Sequence, residues 1–97
     1  MLSSKQRAAL RAMANGIDTV LYIGKLGVTE GIVTQTDEAL LAREIVKGSV
    51  QQNAPLSAKE ALEALSRATG AEPVQAAGRK FVLYRPKPEN PIIKLQP

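Results

Sequence analysis

Only five residues separate the β-branched and aromatic run Thr19-Val20-Leu21-Tyr22-Ile23 from a helix-opening Thr29-Glu30, and two of the five are glycine. A run of this composition, closed by Gly24, reads as a strand. Thr29 is a residue type that accepts a hydrogen bond from a first-turn N–H, and Glu30 follows where the positive end of a helix favours a carboxylate. Ile32, Val33, Thr36, Ala39 and Leu40 then recur at helical spacing and lay an apolar stripe along one face. Strand character returns over residues 44–50, where Gly48 marks a bulge or a close approach of another group. Strand, helix and strand in such short succession require a right-handed crossover and parallel pairing.

The flanking segments extend this unit. Ser3 and Gln6 have the spacing of a capping box, so a first helix is expected to run to about Asn15 with Gly16 as a left-handed stop. Gln6, Leu10, Met13 and Ile17 share one face of it, and Arg7 and Arg11 lie a turn apart beside that face. After a turn at Asn53-Ala54-Pro55, Ser57 and Glu60 form a second capping box. Ala61, Leu62, Leu65 and Ala68 supply the buried face of a third helix ended by Gly70. Residues 74–77 and 80–85 read as strands around Gly78-Arg79, a pair suited to a type II′ hairpin, and Pro73 restricts the first of them to a strand start or an edge. Residues 86–97 hold four of the six prolines and are expected to run extended over the surface. The order is α-β-α-β-α-β-β: a two-layer α/β fold with a four-stranded mixed sheet, formed as one domain over residues 1–97.

Composition removes several classes of function. There is no cysteine and no histidine, which excludes thiol chemistry, disulfides, imidazole acid–base catalysis and the usual zinc sites. Asp37 and Glu38 point in different directions on their helix. Glu60 and Glu63 lie one turn apart but come without a nucleophile, a metal-ligand set or a nucleotide fingerprint. No enzyme, metal or cofactor is therefore expected. No apolar run approaches the roughly 20 residues that span a bilayer, and no secretory signal is visible, so the expected location is the cytoplasm and no membrane partner is expected. Thirteen Lys and Arg against nine acids give a formal charge of +4, a lean toward polyanions.

The loop Gly24-Lys25-Leu26-Gly27 is the most informative feature for function. Its glycines let the backbone turn sharply and approach another backbone closely. It feeds a helix N-terminus, where unpaired N–H groups favour an anion, and Lys25 adds a mobile charge at the tip. A G-x-x-G loop of this kind clamps single-stranded RNA in KH modules, yet the same glycines also serve a plain strand-to-helix connection. Arg7 and Arg11 on the first helix, Lys25, the hairpin pair Arg79-Lys80 and Arg85 form one basic stripe if the elements approach one another. Lys47 and the remaining lysines read as ordinary surface charges. Strand alternation permits Tyr22 and Tyr84 to be exposed, where either ring is able to stack on a base.

Several collinear segments together resemble a known family. They are Ser4-Lys5-Gln6-Arg7 with Leu10-Arg11, Ile23-Gly24-Lys25-Leu26-Gly27-Val28-Thr29, Asp37-Glu38-Ala39-Leu40, Arg43-Glu44, Thr69-Gly70-Ala71-Glu72, Gly78-Arg79-Lys80 and Val82-Leu83-Tyr84-Arg85-Pro86. In this pattern the chain is similar to the YhbY-like RNA-binding proteins, whose CRM domain is named for chloroplast RNA splicing and ribosome maturation. The resemblance covers nearly the whole chain, which looks like the stand-alone bacterial form. It implies a fold similar to the C-terminal domain of translation initiation factor three with an added N-terminal helix. The implied sheet order is one-two-four-three, with the last strand antiparallel to the others. It also implies RNA binding, with large-subunit ribosomal RNA or a pre-ribosomal particle as the partner; the chain itself is expected to be a monomer. Carried over by position, the RNA-binding residues are Lys5, Arg7 and Arg11 of the first helix, Gly24, Lys25, Leu26 and Gly27 of the loop, and Arg79 and Lys80 of the hairpin. Leu26 stands where family members often have a polar residue, and Gly48 where a β-branched residue is more usual. The alternative is a protein-binding adaptor that reaches the ribosome through a protein partner, docking by Leu26 and the tail around Ile92 and Ile93.

Overall fold

The computed structural model describes residues 2–97. The elements run α1 (Ser4–Ala14), β1 (Thr19–Ile23), α2 (Glu30–Arg43), β2 (Ile45–Val50), α3 (Ala58–Thr69), β3 (Glu72–Ala77) and β4 (Lys80–Tyr84). Three local devices start the helices. Ser3 Oγ accepts from the Gln6 N–H while the Gln6 side chain returns to the Ser3 N–H. Ser57 and Glu60 repeat the arrangement at α3, and Thr29 Oγ1 accepts from Ile32 N–H at α2. Each device satisfies donors that a helix start otherwise leaves open.

The sheet order is β1-β2-β4-β3, with β1 and β2 parallel and β4 antiparallel to both of its neighbours. α2 and α3 cover one face. There Leu40, Ala61 and Leu65 pack with Leu21, Ile23, Val46, Phe81 and Leu83 in an aliphatic core that holds a single phenylalanine. α1 lies on the opposite face, where Leu10 and Ala14 cover Ile45, Val74, Val82 and Tyr84. The added N-terminal helix thus caps the back of a two-layer unit. β3 is an edge strand, which accommodates Pro73 without loss of a ladder N–H, and its register slips between Pro73 and Gln75.

Several boundaries differ from the sequence reading, each for a tertiary reason. Gly16 does not take a left-handed conformation. α1 instead unwinds through tight turns, Asn15 N–H to the Ala12 carbonyl and Gly16 N–H to that of Met13. The Lys47 ammonium, from β2, donates to the Ala14 carbonyl at 3.1 Å and finishes the cap, so Lys47 is not an ordinary surface charge. Met13 and Ala68, both placed on buried faces, are exposed, because Ala14 takes the inward position on α1 and α3 stops contributing after Leu65.

Glu44 does not begin β2. It ends α2 with φ +67°, a left-handed backbone rare for a residue with a side chain. Its N–H donates to the Leu40 carbonyl and its carbonyl accepts from Arg85 N–H. Its fully buried carboxylate accepts from the backbone N–H groups of Lys87 (2.7 Å), Ile92 (2.9 Å) and Ile93 (2.7 Å). Burial pushes this carboxyl upward, but the three N–H bonds and the nearby Lys87 charge outweigh it and hold the group below the usual carboxylate range. The Pro-rich tail does run without helix or strand, yet it is tied down here, by Gln6 donating to the Gln96 carbonyl, and by Ile93 and Leu95 packing beside α1.

Candidate functional site

Parallel pairing brings the C-terminal ends of β1 and β2 to one end of the sheet, the end at which open α/β sheets commonly place ligands. Gln51 N–H donates to the Ile23 carbonyl and Val50 N–H to the Arg79 carbonyl, each at 2.8 Å. The 24–27 loop, the 51–53 segment and the β3–β4 hairpin tip therefore share that end. A cleft of about 460 Å³ opens there, walled by the loop on one side and by Thr29, Ile32, Gln51 and Asn53 on the other.

Gly27 N–H donates to the Gly24 carbonyl at 3.0 Å, which closes the loop as a tight turn. The two glycines serve different ends. Gly27 has φ +70°, and a Cβ there would also press on Pro55 Cγ at 3.4 Å, so any other residue is strained by about 1–2 kcal/mol. Gly24 has an ordinary φ; a Cβ on it would meet only the Gln51 side-chain oxygen, at 3.0 Å. Between them Lys25 and Leu26 project into solvent, Leu26 79 % exposed. α2 starts immediately behind. Its Glu30 and Gly31 N–H groups have no acceptor within the helix, so this wall of the cleft carries the positive end of the helix dipole. Glu30 places a carboxylate at the same end, where it competes with any anionic ligand.

The predicted cations divide into two groups rather than one stripe. Lys25 and Arg79 lie at the loop end of the sheet, both exposed; Lys80 begins β4 at that end, but its side chain runs back over the sheet and its Nζ donates to Thr19 Oγ1, at the start of β1, at 3.0 Å. Arg11, in the last turn of α1, approaches from the back face, where a groove lined by Ala14, Asn15, Lys47, Gln75 and Lys80 leads toward the hairpin. Lys5 and Arg7 lie at the other end of α1, and the Arg7 guanidinium is engaged by the Pro73 carbonyl at the start of β3. Arg85 is outside the group altogether. Its Nη1 donates to Asp37 Oδ1 at 2.6 Å and to the Thr69 carbonyl at 2.7 Å, tying α2 to the end of α3. Tyr84 is buried beneath α1, whereas Tyr22 is 55 % exposed. Sequence alone does not single out Thr19, Gln51 or Asn53; for the latter two the available signal is their place directly after β2, at the loop end of a parallel pair.

The chain matches one family model, that of the CRS1/YhbY (CRM) domain, over residues 2–85. The chain belongs to the CRS1/YhbY family. Among curated proteins it is 38% identical over 95 residues to "Probable RNA-binding protein YqeI" of Bacillus subtilis, covering 98% of this chain and 99% of that one. It is 34% identical over 91 residues to a protein of Haemophilus influenzae named "RNA-binding protein", covering 94% and 92% of the two chains. Among solved structures, the solution structure of a hypothetical protein from Staphylococcus aureus superposes with a TM-score of 0.82 at 43% identity, covering 99% of this chain and all of that one. The match ends at Arg85, directly after β4, so the Glu44-bound tail lies beyond the matched segment.

Proposed function

We propose that the chain is a non-catalytic RNA-binding protein that engages large-subunit ribosomal RNA during assembly of that subunit, in the cytoplasm and as a monomer. The observation that carries the reading is the convergence of the Gly24–Gly27 turn, the α2 N-terminus and the exposed cations Lys25 and Arg79 at one end of the sheet, with the Lys80 ammonium on the adjoining sheet face. Backbone N–H groups and a positive helix end suit a phosphate, and mobile ammonium and guanidinium groups add affinity that is tolerant of sequence. The names of the relatives in Bacillus and Haemophilus support RNA as the ligand. Arg11 extends the basic surface along α1; Lys5 and Arg7 serve it from the far end of that helix.

The test is fluorescence anisotropy with ribosomal RNA fragments across a salt series, wild type beside Lys25→Glu. If Arg11, Lys25, Arg79 and Lys80 each neutralise one phosphate, log K falls with log salt at a slope of about −3. Lys25→Glu is expected to lower affinity and flatten that slope. Binding that is absent, or indifferent to both salt and mutation, refutes the reading. Sedimentation of cell extract then addresses the particle: the protein is expected beside large-subunit precursors in low salt and at the top of the gradient for Lys25→Glu.

The adaptor reading draws on Leu26, the most exposed large apolar side chain among the described residues. The tail contributes less to it, because Ile93 packs on the domain's own core and only Ile92 stays exposed. Leu26→Ser is expected to leave an RNA binder's salt-dependent affinity nearly intact and to abolish an adaptor's association with ribosomal particles.

A further inference from the structure

α1 covers only part of the sheet's back face. The rows it buries are those of Ile45, Val74, Val82 and Tyr84. The row nearest the loop runs across the sheet as Tyr22 on β1, Ser49 on β2, Lys80 on β4 and Ala77 on β3, each the register partner of the next. None of these is buried. Tyr22, in a row whose other members are Ser, Lys and Ala, belongs to neither hydrophobic cluster and is 55 % exposed.

The geometry around that ring suits a ligand. The Tyr22 hydroxyl donates to the Thr19 carbonyl of its own strand at 3.3 Å, which draws the side chain back along β1, and the residue stays 55 % exposed. That bond biases the ring toward one position before anything binds, which lowers the side-chain freedom lost on stacking. Lys80 reaches over β2 to Thr19 Oγ1, so its charge borders the same patch. Gly24 follows Tyr22 by two residues, about 7 Å along the strand. That separation is within the reach of one nucleotide whose phosphate sits at the loop.

We propose that the open row Tyr22-Ser49-Lys80 is a platform for unpaired RNA, with a base stacked on the Tyr22 ring and the adjoining backbone held by Lys80 and the Gly24–Gly27 loop. The proposal rests on the RNA-binding reading above and deepens it by naming the class of RNA: a single strand, loop or bulge, because in a duplex the base faces are closed within the stack. The basic rim and continuity with the loop select a polyanion as the occupant, and the aromatic face selects one with exposed bases.

The test compares a short unpaired RNA with a blunt duplex of the same length, each end-labelled for anisotropy, against wild type, Tyr22→Phe, Tyr22→Ala and Lys25→Glu. Wild type and Tyr22→Phe are expected to prefer the single strand. Tyr22→Ala is expected to lose roughly 10-fold or more on the single strand, as removal of one stacking partner does, with duplex binding unchanged. Lys25→Glu weakens both. A second readout uses Tyr84→Phe, which leaves Tyr22 as the sole tyrosine in a chain without tryptophan. Its emission is expected to be quenched by the single strand and untouched by the duplex. If wild type binds RNA but Tyr22→Ala binds the single strand equally well, or loses both RNAs alike, the platform is wrong and the loop reading stands. If wild type binds neither RNA, both are wrong.

Discussion

Gly48 faces Phe81 directly across the β2–β4 ladder, and the pair sets up a test in which two effects of opposite sign compete. A glycine inside a strand is ordinarily a weakness, and replacing it by alanine should stabilise by about 0.5–1 kcal/mol through lower chain entropy. Here, however, a Cβ on Gly48 would lie 2.6 Å from Phe81 Cε1, 2.8 Å from Cε2 and closer still to Cζ. Carbon atoms in contact prefer about 3.5–4.0 Å, so the ring would have to move by an ångström or more. Phe81 is 0 % exposed and packed among Leu83, Val46 and α3, which leaves nowhere for it to go. Overpacking of this kind costs about 1–3 kcal/mol, and so severe a clash belongs at the upper end. Set against the entropic gain, Gly48→Ala is expected to lose about 2 kcal/mol, which for a domain of this size lowers Tm by roughly 8–16 °C. Thermal unfolding followed by circular dichroism reads this directly. Phe81→Leu should weaken the wild type but much less so the Gly48→Ala protein, a coupling of about 1 kcal/mol or more in a double-mutant cycle. A Gly48→Ala protein as stable as wild type, or more so, would refute the assignment of Gly48 as the space that Phe81 occupies.

Other outcomes follow from the same geometry. Glu44 has a depressed carboxyl pKa in the folded chain, so the tail's attachment is complete above the ordinary carboxylate range and is lost as pH falls through that lowered value; the protection of the Ile92 and Ile93 amides against exchange, relative to the unfolded-chain rate at each pH, should be full at neutral pH and disappear only below the ordinary carboxylate range. Glu44→Ala, which removes the acceptor of three part-buried N–H donors, is expected to cost about 1–3 kcal/mol and to release the tail at all pH values, as seen in the same exchange experiment. Glu30→Gln removes the carboxylate that competes at the α2 N-terminus and is expected to tighten RNA binding about 2- to 5-fold at low salt in the anisotropy assay. Arg85→Ala is expected to lose only about 1 kcal/mol in denaturant unfolding, since the ion pair with Asp37 is 23% and 48% exposed and solvent-screened, and to leave RNA affinity unchanged.

What the sequence by itself determined is everything whose cause lies within a few residues. The capping residues Ser3, Thr29 and Ser57, the Gly78 hairpin, the stripe from Ile32 to Leu40 and the β-α-β order all arise from interactions spanning three or four positions, or from the handedness of the crossover. Those suffice to place Gly24–Gly27 between a strand and a helix start. The outcome for individual charges was decided elsewhere. Arg7 finds the Pro73 carbonyl, Arg85 finds Asp37 and Thr69, and Lys47 finds the end of α1, while Lys25 and Arg79 remain free to project. Likewise the two tyrosines are alike in strand context, and only the position of α1 over the sheet buries Tyr84 and leaves Tyr22 open. Gly48 and Glu44 show the same division: a glycine that weakens a strand in isolation makes room for a distant ring, and a glutamate expected to open a strand turns left-handed to hold the tail. The physical reason is one of range. Backbone capping and side-chain periodicity are short-range and legible in order along the chain, whereas burial and the pairing of a charge depend on which surfaces the packed elements bring together.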